Sequence, residues 1–124
     1  MTLLINADRL QADFEALSAI GGVQDAEGNR GVNRPALSAA HQEARAWFLT
    51  RAAEAGLETR VDAAGNHSAI LRCAASARPT ANTTTLLLGS HLDSVPNGGR
   101  FDGALGVLAA LEALRTVKEA DLSL

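Results

Sequence analysis

Tyrosine is absent from the 124 residues, tryptophan and cysteine occur once each, and aromatic side chains make up only 3% of the chain. So thin a supply argues against base-stacking surfaces and aromatic cages. The single Cys73 excludes an internal disulfide and fits a reducing cytoplasm, where the chain is expected to reside. There is no basic face either. Eleven Lys and Arg against fourteen Asp and Glu leave a net charge of −3, with both signs interleaved, so neither nucleic acid nor a membrane is expected as a partner. Long apolar runs are missing: Leu3-Leu4-Ile5 leads straight into Asp8-Arg9, too short for a signal segment, and nothing approaches a membrane span. Repeats and low-complexity tracts are absent as well. What remains, 47% hydrophobic with a mean hydropathy of +0.04, suits a soluble globular core. A chain of this length makes one domain or part of one, burying roughly two-thirds of its unfolded surface.

Read in order, the pattern alternates helix and strand and predicts an α/β fold, a mixed sheet flanked by helices. Asn6 can cap a first helix carrying Leu10, Phe14, Leu17 and Ile20 at helical spacing until Gly21-Gly22 ends it. Residues 23–35 are polar and read as a loop. Ser38 can cap a second helix with Ala40, Ala44, Trp47, Phe48, Arg51 and Ala55 along one stripe and Gly56 as its stop. Residues 57–62 and 67–73 read as two strands joined by the turn Ala63-Ala64-Gly65-Asn66. Residues 74–82 form a second loop, and 83–91 read as the central strand. From Gly103 to about Lys118 a helix follows that is apolar on nearly every side and is expected to be buried, with Glu112 as its oddity, facing a helix edge or an absent part. Such a helix needs cover, and about three strands supply little of it. The chain is therefore expected to be the front part of something larger, or to pair with another chain.

The chemistry gathers in residues 86–103, where the apolar run Leu86-Leu87-Leu88 gives way to His91-Leu92-Asp93, a glycine-rich loop, and Asp102 at a helix start. The carboxyl end of a buried strand, followed by a loop and a helix N-terminus, is where open α/β sheets place ligands. Side chains two apart on an extended segment point the same way, so Asp93 can accept a hydrogen bond from His91 and fix which ring nitrogen stays free. Each piece has an ordinary reading too. Asp102 by itself can be a helix N-cap, and His91-x-Asp93 a surface pair at a strand end. Taken together, His91 and Asp102 read as metal ligands, short of the roughly four donors that zinc takes. His41, near a helix start, is expected in solvent, His67 in a strand, and Cys73 in the core.

The stretch Gly89-Ser90-His91-Leu92-Asp93-Ser94-Val95-Pro96-Asn97-Gly98-Gly99-Arg100-Phe101-Asp102-Gly103-Ala104-Leu105-Gly106-Val107 resembles the metal motif of the N-carbamoyl-L-amino-acid hydrolases and allantoate amidohydrolases, a branch of the M20 metallopeptidase and amidohydrolase family. The likeness extends back through Gly31-Val32-Asn33-Arg34, the Ser38 helix, Ala55-Gly56-Leu57-Glu58 and Val61-Asp62-Ala63-Ala64-Gly65-Asn66. The short interval from His91 to Asp102 points to the carbamoylase branch. The resemblance implies that residues 1–124 are the N-terminal portion of a zinc-peptidase-like catalytic domain. In it His91 would ligate one metal, Asp102 would bridge two divalent ions (zinc or manganese), and Asp93 would orient His91. It implies too a strained cis junction after Asp102.

The implied reaction is metal-dependent hydrolysis of a carbamoyl, ureido or amide C–N bond in a small-molecule substrate. The remaining ligands, the glutamate base, the substrate-binding residues and a dimerising lid would all lie outside this chain. Alone it is expected to be inactive, and to act as a homodimer within a full-length protein or by docking with a C-terminal half. The competing expectation is a catalytically silent remnant or interaction module that binds metal weakly.

Overall fold

The computed structural model describes residues 2–72 and 84–121. The loop expected over 74–82 and the side chain of Cys73 lie outside them. The elements run α1 (Ala7–Ala19), β1 (Gly22–Gln24), β2 (Arg30–Val32), α2 (Ala39–Glu54), β3 (Glu58–Val61), β4 (His67–Ile70) and α3 (Ala104–Glu119). Among the described residues, three helices and two small antiparallel sheets make a mixed α/β fragment.

Local chemistry sets most of these boundaries. The Asn6 side chain accepts from the Arg9 amide at 3.0 Å and the Ser38 hydroxyl from the His41 amide at 3.2 Å, so both expected N-caps are made. Gly56, at φ +66°, closes α2 and turns the chain into β3. β3 and β4 pair antiparallel with Val61 opposite His67. Their turn is an Asp62 device: its carboxylate takes the amides of Ala64 and Asn66 at 2.9 and 2.8 Å while Gly65 adopts φ +84°.

The core forms where α1, α2 and α3 converge, around Phe14, Leu17, Phe48, Leu108 and Leu111, each contributing roughly 1.5–3 kcal/mol by leaving water. Only one side of α3 is covered. Val107, Leu108 and Leu111 are buried, whereas Leu105 is exposed, so full burial of this helix is not met among the described residues. Glu112 is not at an edge. It is 1% exposed and faces α1, taking Arg9 Nε and Nη2 at 2.8 Å each and the Asn6 amide at 3.0 Å. Nearby, Arg115 and Asp13, both buried, form a second ion pair between the same two helices. A carboxylate in the core survives because its charge and its lone pairs are both answered.

Two sequence expectations need correction here. The polar stretch 23–35 is not all loop: β1 and β2 form a hairpin within it, Gly22 opposite Val32, its turn held by the Asp25 carboxylate on the amide of Asn29 at 2.7 Å. And the central strand over 83–91 is not formed in the described part, 84–91. That stretch belongs to no ladder, and Leu86 and Leu87 are more than four-fifths exposed. A strand exists only through its neighbours' hydrogen bonds, and β1–β2 and β3–β4 each pair only with themselves.

Candidate metal centre

The site is built where the chain re-enters the core. In His91-Leu92-Asp93 the side chains alternate: Leu92 is 8% exposed and seated in the core, so the two flanking side chains point outward together. Behind Leu92 lies Arg34, 2% exposed. Its Nε donates to the Leu92 carbonyl at 2.6 Å, and its Nη1 to the carbonyls of Leu17 and Ile20 at 2.9 and 2.8 Å. One guanidinium thus ties the end of α1 to the backbone that carries His91. Burial pulls the Arg34 pKa below its usual range, and the nearby Asp93 charge opposes that shift. The following loop is fastened to β2: Ser94 and Arg34 exchange bonds at 2.9 Å, and Val32 and Gly98 pair in both directions at 2.9 and 2.8 Å.

The three sequence-predicted residues meet around one imidazole. His91 Nδ1 lies 3.0 Å from the main-chain carbonyl of Asp93 and 3.4 Å from its carboxylate. A carbonyl only accepts, so a hydrogen bond here needs Nδ1 as the donor, which leaves Nε2 as the nitrogen open to a metal. The orienting contact expected from the Asp93 carboxylate is therefore made chiefly by its backbone. On the other side, His91 Nε2 faces Asp102 Oδ1 at 3.6 Å.

Asp102 is not the helix cap. Gly103 is the N-cap residue of α3, with no side-chain cap bond, and the Asp102 side chain is 76% exposed. The junction between them is trans, not the strained cis bond the resemblance implied. Gly103 stands instead at φ +69°, and a Cβ there would sit 2.4 Å from the His91 carbonyl oxygen and 2.6 Å from its ring. Glycine lets the helix start press against His91 while the Asp102 carboxylate stays free of capping duty.

The donor set fits a divalent ion. Ligands at about 2.0–2.2 Å in tetrahedral array stand roughly 3.3–3.5 Å apart, close to the separation of these two donors. Imidazole with carboxylate accepts zinc, manganese, cobalt or nickel. Among the described residues no group of three or more His, Cys, Asp or Glu could hold a metal, so the pair is two donors and no more. The other histidines are engaged elsewhere. His41, partly buried and not in free solvent, accepts the Leu37 amide on Nδ1 at 2.8 Å; burial, then the Arg45 charge, lowers its pKa. His67 Nδ1 lies 3.1 Å from Arg45 Nε and 3.0 Å from its Nη2. Arg34 is the residue whose placement sequence reasoning missed, because nothing in a polar stretch marks one arginine for burial.

Comparison with known proteins follows the same lines. Residues 72–123 match the family model described as Peptidase family M28, where the motif resemblance had pointed to M20. The N-carbamoyl-L-amino-acid amidohydrolase of Pseudomonas sp. (strain NS671) is 36% identical over 121 residues, 98% of this chain and 27% of that protein. The allantoate amidohydrolase of Bacillus subtilis (strain 168) is 38% identical over 94 residues, 76% of this chain and 22% of that protein. The crystal structure of a hydantoinase/carbamoylase family amidase from Burkholderia ambifaria superposes with a TM-score of 0.84 at 37% identity, covering 99% of this chain and 28% of that one. The chain thus spans between a fifth and a third of the length of each. No helix among the described residues is long and apolar enough to cross a membrane. In sequence and in backbone alike, the chain is similar to the hydantoinase/carbamoylase amidases and to the N-carbamoyl-L-amino-acid and allantoate amidohydrolases over that part of their length.

Proposed function

We propose that this chain supplies the His91 and Asp102 donors of a divalent-metal centre in an amidohydrolase that cleaves a carbamoyl or ureido C–N bond of a small molecule. The observation that carries this reading is one imidazole whose Nδ1 is held by Asp93 and whose Nε2 faces an uncapped Asp102 carboxylate at 3.6 Å. Bound there, divalent ions would polarise the scissile carbonyl and bring the pKa of a water towards ~7. The chain's own residues have narrower tasks. The Asp93 carbonyl keeps the proton on Nδ1, Asp102 offers a carboxylate that no helix end consumes, and Arg34 keeps the backbone under His91 from shifting.

Among the described residues two donors leave an ion short of its shell, and the glutamate base that the resemblance implies does not join them. Loss of a positioned base alone costs on the order of 10²–10⁴-fold. We therefore assign turnover to a larger assembly in which this chain forms the N-terminal portion of the catalytic domain, through a homodimer or by docking with a C-terminal part. The exposed Leu86–Leu88 stretch, which joins no ladder among the described residues, supports this, since it offers apolar side chains to an added strand. By itself the chain is a catalytically silent module that binds metal weakly, a reading favoured by the two-donor count among the described residues. A cytoplasmic setting accords with the single cysteine.

Zinc titration of the purified chain tests the ligand assignment. Weak binding, reversed by a chelator and cut at least tenfold by His91→Ala and by Asp102→Ala, is expected. Binding that survives both substitutions would overturn it.

A further inference from the structure

One contact beside the site touches neither His91 nor Asp102. Arg100 turns back onto α1, with Nη1 and Nη2 each 3.3 Å from a different carboxylate oxygen of Glu15. Its guanidinium carbon lies 4.9 Å from the centre of the Phe14 ring and 5.5 Å from that of Phe101. Phe101 in turn stacks on Phe14, ring centres 4.7 Å apart and planes 21° from parallel. The Arg100 side chain is only 15% exposed, although it belongs to a loop. From β2, Arg30 holds the same carboxylate at 2.8 Å, and Arg30 with Arg100 keeps the Glu15 pKa below the usual carboxylate range. Charge, bidentate geometry and aromatic faces all answer one side chain.

Asp102 lies two residues after Arg100 and directly after Phe101. Its side chain is 76% exposed and makes no bond to the end of α3, and among the described residues the carboxylate has no charged neighbour besides His91 at 3.6 Å. Where it stands is decided by the backbone on either side. After it comes Gly103, seated against His91; before it come Arg100 and Phe101, seated on α1. Detaching the second anchor frees the loop to swing about the first.

We propose that Arg100 is a positioning residue for the metal-binding pair: anchored on Glu15 and Phe14, it fixes the chain entering Asp102 so that the carboxylate stays within reach of His91 Nε2. The proposal rests on reading His91 and Asp102 as donors. An ordinary exposed ion pair would add little to stability and nothing to metal affinity, which separates the two roles.

The test is a titration of the chain with cobalt(II) alone, followed by its visible absorption, with Asp102→Ala as the reference. Arg100→Ala should weaken cobalt binding on the order of tenfold, with the helical signal kept. Arg100→Lys, which keeps the charge but not the two-pronged contact, should fall between. Glu15→Gln should lose a similar factor, and the double variant should be no worse than Arg100→Ala, because both act through one contact. If Asp102→Ala weakens binding and Arg100→Ala does not, the proposal is wrong. If Asp102→Ala itself changes nothing, the donor reading falls, and hydrogen exchange decides the clamp. The Leu105 amide, bonded to the Phe101 carbonyl at 3.1 Å, should exchange about tenfold faster in Arg100→Ala. An unchanged rate there overturns the proposal.

Discussion

Removing the Arg34 guanidinium should cost as much stability as truncating a large apolar side chain in the core. Arg34→Ala would strip a buried charge from three carbonyls, those of Leu92, Leu17 and Ile20 at 2.6, 2.9 and 2.8 Å, and leave a cavity behind. A hydrogen bond from a charged donor contributes about 1.5–3 kcal/mol, and a buried acceptor left unpaired costs a further 1–3 kcal/mol. These figures overlap, because water can enter part of the gap. A loss of about 3–5 kcal/mol is therefore expected, as for breaking other buried charged contacts. That is a large fraction of the about 5–15 kcal/mol that holds a domain together. Urea unfolding followed by far-UV circular dichroism reads it as a fall in midpoint at constant slope. Arg34→Lys reaches fewer carbonyls and should recover only part of the loss, which gives a measurable variant if alanine does not fold. A loss below 1 kcal/mol in either variant would show that the guanidinium is not the brace beneath His91.

Two further outcomes follow from the geometry. Gly103→Ala places a Cβ 2.4 Å from the His91 carbonyl oxygen at a φ of +69°, so it should cost upwards of about 1–2 kcal/mol and weaken zinc binding; calorimetric titration beside a urea melt checks both. Burial pushes the Glu112 carboxyl up, but hydrogen bonds from Arg9 and the Asn6 amide, with the Arg9 and Arg115 charges, bring it below the usual range. A carboxylate with a depressed folded pKa stabilises fully above its unfolded value of about 4.3 and loses that contribution as pH falls through the folded value. Wild type should therefore exceed Glu112→Gln in urea midpoint at pH 7, with the gap closing towards pH 2; a gap independent of pH would contradict the ion-pair assignment.

What could be read from the sequence was what short-range chemistry decides. Asn6 and Ser38 cap within three residues of themselves, and the Asp62 turn closes within four, so α1, α2 and the β3–β4 hairpin were legible. The β1–β2 hairpin was not, because its strands are short and polar and depend on the Asp25 turn and on Gly98 across the fold. Nor was the state of Leu86–Leu88, since apolar character states a preference for burial while pairing needs a neighbouring strand. At the site, the gathering of His91, Asp93 and Asp102 was legible from spacing. The displacement of the helix cap by one residue was not, because it follows from Gly103 meeting His91 in space. The clasp of Arg100 on Glu15 spans 85 residues and leaves no periodic trace.

The measurement that bears most directly on the central claim is complementation. This chain would be mixed, in the presence of zinc or manganese, with a fragment of the Pseudomonas sp. carbamoylase that lacks the 27% it matches, and release of free amino acid from an N-carbamoyl-L-amino acid would be followed. Neither part alone should turn over substrate; the mixture should, and Asp102→Ala or His91→Ala in this chain should abolish the rescue. Metal-dependent turnover by the chain alone, or a rescue untouched by loss of both donors, would contradict the claim that this chain supplies half of a shared metal shell.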